Sequence, residues 1–281
     1  MTDETPADTW GRWYTVATTF VAPATFVGAV LFYFGYVSAR SQYAYFGVDV
    51  DTTGLSTRDY VTRSPQALLV PALLLLVVGT ATAALLAGVR SGRLGPRAVR
   101  LLVYGGAVLG GIGLVAVLLY PWAGRWTAYA LVTPLLVTAG AGLLAVVGRA
   151  RGFPPSVTVM LALVAALATF WATATLAQWT GRGVAMRTAR HLGDLPAVVL
   201  DTREPLYLGD TVTTQKTLPQ PPPDQESEGH PFRYRYYGLR LLIQAGDLMF
   251  LVPERWDPSD STVVVDMTEV RVRFRFVNQA P

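Results

Sequence analysis

LLVYGGAVLGGIGLVAVLLYPWAG, residues 101–124, runs for 24 residues without a charge. As a helix, about 20 such residues cross the roughly 30 Å hydrocarbon core of a bilayer. Residues 13–39, 64–89, 126–148 and 152–181 are equally free of charge. From Tyr60 to Arg190 the chain has no Asp, Glu, Lys or His, and arginine is its only charged residue. Charged residues make up 15% of the whole, where soluble domains carry about a quarter. Mean hydropathy is +0.36. The pattern is that of a multi-pass membrane protein, and it excludes a cytosolic enzyme, a nucleic-acid-binding domain and a disordered chain.

Working outward, five spans are expected at 14–38, 67–89, 101–120, 128–148 and 156–179. The expected organisation is a short cytoplasmic N-terminus (1–13), an α-helical membrane bundle of five transmembrane helices (14–181) with an outer loop at 39–66, and an extracytoplasmic β domain (182–281). The first span follows acidic residues (Asp3, Glu4, Asp8) and is too long for a signal peptide. Pro23, Pro71 and Pro134 fall near the N-terminal ends of three spans, where a bundle accommodates a kink. Arginine in short loops sets orientation. The 90–100 loop holds Arg90, Arg93, Arg97 and Arg100, and the 149–155 loop holds Arg149 and Arg151. The 121–127 loop has only Arg125, flanked by Trp122 and Trp126. The first two loops are therefore expected inside and the tail outside, in the cell membrane. A lipid head-group site is a second reading of the four-arginine loop, but a topology anchor accounts for it.

Net charge is +4. It is concentrated in residues 1–181, with 11 Arg against 6 acids, while residues 182–281 hold 12 basic and 13 acidic residues. The isoelectric point thus reflects membrane-flanking arginines rather than a surface for nucleic acid. With no cysteine there is no disulfide, thiolate nucleophile or Cys-ligated metal. No cofactor is expected.

The spans contain no Asp, Glu, Lys, Arg or His, so a proton relay, voltage sensor or acidic cation site has little support. There is no TVGYG-like filter. Small residues abound instead, and Gly106-Ala-Val-Leu-Gly110 is a GxxxG that lets helix backbones approach closely. It suits either a homo-oligomer seam or packing within one bundle, and five helices favour the second. Thr169, Thr173 and Thr175 are expected to bond back to their own helix or across to a neighbour rather than line a channel.

Residues 39–66 carry more detail than a connector needs. Tyr33, Phe34, Tyr36, Tyr43, Tyr45 and Phe46 suit an interfacial aromatic collar. Tyr45-Phe46-Gly47 leads to a turn near Gly54. Ser56 with Asp59 fits a capping box for a short helix from Thr57 to Arg63 that includes Tyr60. Ser64-Pro65 then reads as cap and first residue of the next helix. The stretch YAYFGVDVDTTGLSTRDYVTRS (43–64) resembles an uncharacterised group of actinobacterial multi-pass membrane proteins with a YFGVxxxxLGxSTxDYxxRS-like loop and an outer β tail; here Thr53-Gly54 stands for the pattern's Leu-Gly. The resemblance implies the same topology and adds no chemistry, and the loop is expected to be a structural lid, a re-entrant or interfacial turn packing the bundle against the tail.

From about residue 195 the pattern alternates as strands do. Strands are expected at 196–202, 205–208, 232–244, 248–252, 262–266 and 269–277. A Pro-rich loop is expected at 218–231 and a hairpin turn at Ala245-Gly246-Asp247, making a small, mainly antiparallel β domain. In the last strand Val270, Val272, Phe274 and Phe276 face one way and Arg271, Arg273 and Arg275 the other. If that strand paired with the one carrying Arg233 and Arg235, a basic ladder beside Tyr234, Tyr236 and Tyr237 would suit an anionic ligand or partner. The competing reading is a self-paired solvated face. His191 and His230 have no metal-ligand spacing, and no Gly-x-Ser-x-Gly elbow exists. The tail carboxylates Asp201, Glu204, Asp210, Glu254 and Asp266 have no catalytic spacing. The expected function is therefore a non-enzymatic envelope interaction, sensor or scaffold role, with membrane lipid and a protein or anionic envelope partner. A homo-oligomeric channel or transporter subunit is the alternative.

Overall fold

The computed structural model describes residues 22–54, 57–123, 126–206, 208, 214–218 and 232–275. Residues 14–21 of the first span, Ser56, Arg125, Asp210, most of the Pro-rich loop with His230, and Phe276 lie outside them. Among the described residues, five α-helices precede the strands: α1 (Ala22–Ala44), α2 (Thr57–Arg90), α3 (Pro96–Ala123), α4 (Tyr129–Ala150) and α5 (Pro155–Arg190). Among the described residues, α3, α4 and α5 are long and apolar enough to cross a membrane, and α2 adds the shorter apolar stretch Leu76–Arg90.

Two helix boundaries differ from expectation. The chain does not restart at Ser64-Pro65, because α2 runs unbroken from Thr57 through both residues. A proline in the helix interior costs the bond its N–H would donate, and neighbouring helices make this tolerable in membrane bundles. At its far end α5 continues past residue 179 to Arg190, so the juxtamembrane segment is helical.

The chain divides into two compact units, and the division falls inside α1, α2 and α5. One contains residues 1–37 and 63–180; the other contains residues 38–62 and 181–281. The loop expected to belong to the membrane bundle thus groups with the tail.

In the first unit the glycines decide how helices meet. Gly106 and Gly110 of α3 face Gly140 of α4, so close that a Cβ on Gly140 would collide with the Gly110 backbone and sit 2.9 Å from the Gly106 carbonyl oxygen. Tyr129 also donates to the Ala116 carbonyl (2.7 Å). On α5, Thr169, Thr173 and Thr175 each donate to the carbonyl four residues back, at 2.7, 2.8 and 3.1 Å. Phe34 of α1 is buried against Ala174 and Ala177. The outward faces are apolar: Leu101, Leu118, Met160 and Leu167 are between 67% and 71% exposed. Helix surfaces of that kind need lipid or another apolar partner.

The second unit is built on a six-stranded antiparallel sheet of order β5-β4-β3-β1-β6. The strands are β1 (Ala197–Thr202), β2 (Thr214–Thr217), β3 (Tyr234–Ala245), β4 (Leu248–Pro253), β5 (Val263–Asp266) and β6 (Arg271–Arg275). β2 pairs with Tyr234–Tyr237 of β3. Of the expected strand at 205–208, the described residues Pro205, Leu206 and Leu208 are not in a strand. Leu206 and Leu208 instead pack on the sheet's core, and Tyr236 Oη accepts from Leu206 N–H (2.7 Å) and donates to its carbonyl (3.2 Å). Gly246 and Asp247 form the two-residue turn between β3 and β4.

β5 and β6 are opposite edges, yet only Met267–Val270 joins them. Four strand spacings in a flat sheet amount to about 19 Å. A five-residue step reaches at most about 18 Å. The sheet must therefore curl, and Val263 and Val265 of β5 duly share one core with Val270 and Val272 from the other edge. Val198, Leu200, Tyr236, Leu239, Met249 and Leu251 fill the rest of that core. The curl is helped by a bulge in β3, where two steps along β1 (Val198 to Leu200) match three along β3 (Leu239 to Tyr236). The extra residue falls at Gly238, whose φ of +83° is a conformation side chains disfavour.

Candidate functional site

Alternation along β1 sends Val198, Leu200 and Thr202 into the core and turns Ala197, Val199 and Asp201 to the other face. Asp201 is the polar residue of that set, and it is 2% exposed. Its cross-strand neighbours are Arg235 on β3 and Arg271 on β6. A buried carboxylate needs compensating partners. Arg235 supplies two bonds in a fork, Nε to Oδ1 at 2.6 Å and Nη2 to Oδ2 at 2.9 Å. Arg273 approaches Oδ2 at 3.4 Å.

The Arg235 bonds hold the Asp201 carboxyl below its ordinary range; burial opposes this, and the charges of Arg235, Arg273 and Arg271 reinforce it. The same bonds raise the Arg235 guanidinium above its ordinary value, with help from Tyr237. The group thus holds three guanidinium charges and one carboxylate. The Arg273 side chain is 53% exposed, and Arg271 has no ion-pair partner among the described residues.

The basic ladder differs from expectation in two ways. β3 and β6 do not pair, because β1 lies between them, and Asp201 of β1 occupies the gap. Nor do all the tyrosines join the arginines: Tyr236 is buried in the opposite core, and Tyr234 packs against it. Arg233 is exposed at the start of β3, with its backbone N–H bonded to the Thr202 carbonyl (2.9 Å). Arg275 faces Ala197 in the register.

A second arginine was not singled out in the sequence. Arg240 is 9% exposed and donates to the carbonyls of Gly193 (3.2 Å) and Leu195 (2.9 Å) while pairing with Glu254. It anchors the turn after α5 to the sheet. Beside it Phe46, Ala185, Leu192 and Val252 form a second core, with Tyr45, Leu242 and Trp256 packed against it. The Phe46 and Trp256 rings are 4.9 Å apart, and Thr262 donates to the Phe46 carbonyl (2.5 Å). Tyr43 and Phe46 of the expected aromatic collar are therefore buried within the unit, as is Tyr60, while Tyr33 is 39% exposed. Gly47, at φ +73°, makes the turn that lets Phe46 point inward. Asp49 caps a short 3-10 turn, Val50–Thr52, by accepting from the Asp51 N–H (3.2 Å). The Ser56–Asp59 capping box lies outside the residues whose side chains are described.

The remaining candidates stay apart. Glu254 serves Arg240, and Asp266 accepts from the Thr268 hydroxyl (2.7 Å) and N–H (2.8 Å), which lowers its pKa. The His191 ring meets the Arg187 carbonyl (3.1 Å) at the end of α5. Among the described residues no three His, Cys, Asp or Glu side chains converge. No family model, curated protein or solved structure matches the chain.

Proposed function

We propose that this is a five-span protein of the cell membrane, with its N-terminus inside, whose loop-and-sheet unit acts outside as a non-enzymatic interaction module for an acidic partner. The observation that carries the reading is the arginine cluster on one sheet face, where Arg235, Arg271 and Arg273 surround the single carboxylate of Asp201. Asp201 fixes Arg235 in place, and its charge offsets one of the three cations. The surplus lies on β6, on half-exposed or exposed side chains able to meet carboxylate or phosphate groups. The apolar outer faces of the long helices support the membrane reading, and loop arginines support the orientation.

The test uses the purified full chain in detergent and fluorescent polyglutamate as the acidic probe. Arg271→Gln with Arg273→Gln should weaken binding about tenfold at low salt, and added salt should weaken the wild type steeply. Equal binding by the double variant and the wild type would contradict the proposal.

A further inference from the structure

A cavity of about 330 Å³ opens in the helical unit where α2 and α4 end and α5 begins. Its lining includes Arg90 from the last turn of α2, Arg149 from the last turn of α4, and Thr158 from the first turn of α5. Leu86, Phe153 and Val159 supply apolar wall. Both arginines are exposed, and neither has an ion-pair partner among the described residues. Along the chain, no Asp or Glu occurs from Tyr60 to Gly193.

Phe153 is part of a built wall. Its N–H bonds to the Gly148 carbonyl (2.9 Å), and its ring lies so close to Gly148 that an added Cβ would sit 3.1 Å from Cγ. Two exposed cations, unpaired among the described residues, thus share one concavity with an aromatic ring and aliphatic side chains. Guanidinium forks match the oxygens of a phosphate, the volume suits a small ligand, and the apolar wall suits the start of an acyl chain. Basic pockets between membrane helices bind anionic head-groups on this principle.

We infer that the cavity between Arg90 and Arg149 binds a phosphate-bearing anion, with the phosphodiester head-group of an anionic lipid as its source. The site is separate from the sheet's arginine cluster, and its test does not depend on that cluster.

The delipidated full chain in detergent would be exposed to phosphatidylglycerol, to phosphatidylcholine and to inorganic phosphate, with retained ligand read by native mass spectrometry and stabilisation by thermal shift. The wild type should retain phosphatidylglycerol over phosphatidylcholine. Arg90→Gln with Arg149→Gln should cut that retention by about tenfold or more, since charge-assisted bonds are lost. Arg97→Gln, a neighbouring basic residue absent from the lining, should leave retention unchanged. Thr158→Trp, which fills the cavity and keeps both arginines, should also reduce it. A response to inorganic phosphate alone, lost in the double variant, would keep the site but overturn the lipid source. Equal retention of phosphatidylglycerol by the wild type, the double variant and Thr158→Trp would overturn the site.

Discussion

Asp201 sits at the middle of the Arg235–Asp201–Arg271 row, and removing its charge takes the forked ion-pair partner from the half-buried Arg235. Asp201→Asn keeps the shape and one acceptor oxygen, yet should destabilise the unit by about 2–3 kcal/mol. The sign with pH follows from the lowered carboxyl. Unfolding returns Asp201 to its ordinary value of 3.8, above its folded value. Its contribution is therefore complete above about pH 4 and is lost as pH falls through the folded pKa. Denaturant unfolding followed by near-ultraviolet circular dichroism should show a constant gap between wild type and Asp201→Asn from about pH 8 to pH 5, shrinking below about pH 4. A gap that widened on acidification would contradict the assignment. Alternation alone places Asp201 and the β6 arginines off the core face, but nothing in the spacing says that β1 separates β3 from β6. The ion cluster was therefore legible only as a set of arginines, without its carboxylate.

At the scale of elements, the α3–α4 seam depends on the absence of side chains at a few points. Gly140→Ala would push a methyl into the backbone of α3, and a well-packed interface gives little room; the cost should be about 1–3 kcal/mol. Gly111 has open space around its Cβ position, so Gly111→Ala should be neutral or stabilising by up to about 1 kcal/mol from helix propensity. Thermal unfolding in detergent distinguishes the two, and equal effects would argue against the seam. Long uncharged stretches make such helices legible, and alternating apolar residues locate β1, β3, β4, β5 and β6 to within a few residues. β2 was missed because its residues, Thr-Gln-Lys-Thr, are all exposed and show no apolar face. Its only signature is pairing with β3, which is a tertiary fact. The apolar Leu206 and Leu208 suggested a strand but serve as a core-packing segment held by Tyr236. Ser64-Pro65 looked like a helix start because the same residues suit a cap, and tertiary context let α2 continue.

The grouping of residues 38–62 with the tail belongs to the whole molecule, and sequence distance hid it: the Thr262–Phe46 bond joins positions 216 residues apart. Phe46 is 1% exposed and packs with Val252 and Trp256. Phe46→Ala should cost about 3–5 kcal/mol and expose the tail to limited proteolysis. Unchanged cleavage would show that the loop is dispensable to the sheet. The local motif at 43–64 was readable as ordered structure packing against the tail, but the residues it meets there were not.

The broadest claim is that α3, α4 and α5 each cross the membrane, which would put Ser91 and Ser261 on opposite sides. Both serines are exposed, and the chain has no native cysteine. Ser91→Cys and Ser261→Cys would each be probed in intact cells with a membrane-impermeant maleimide. The account predicts that Ser261→Cys labels directly and that Ser91→Cys labels only after permeabilisation; labelling of both in intact cells, or of Ser91→Cys alone, would contradict it.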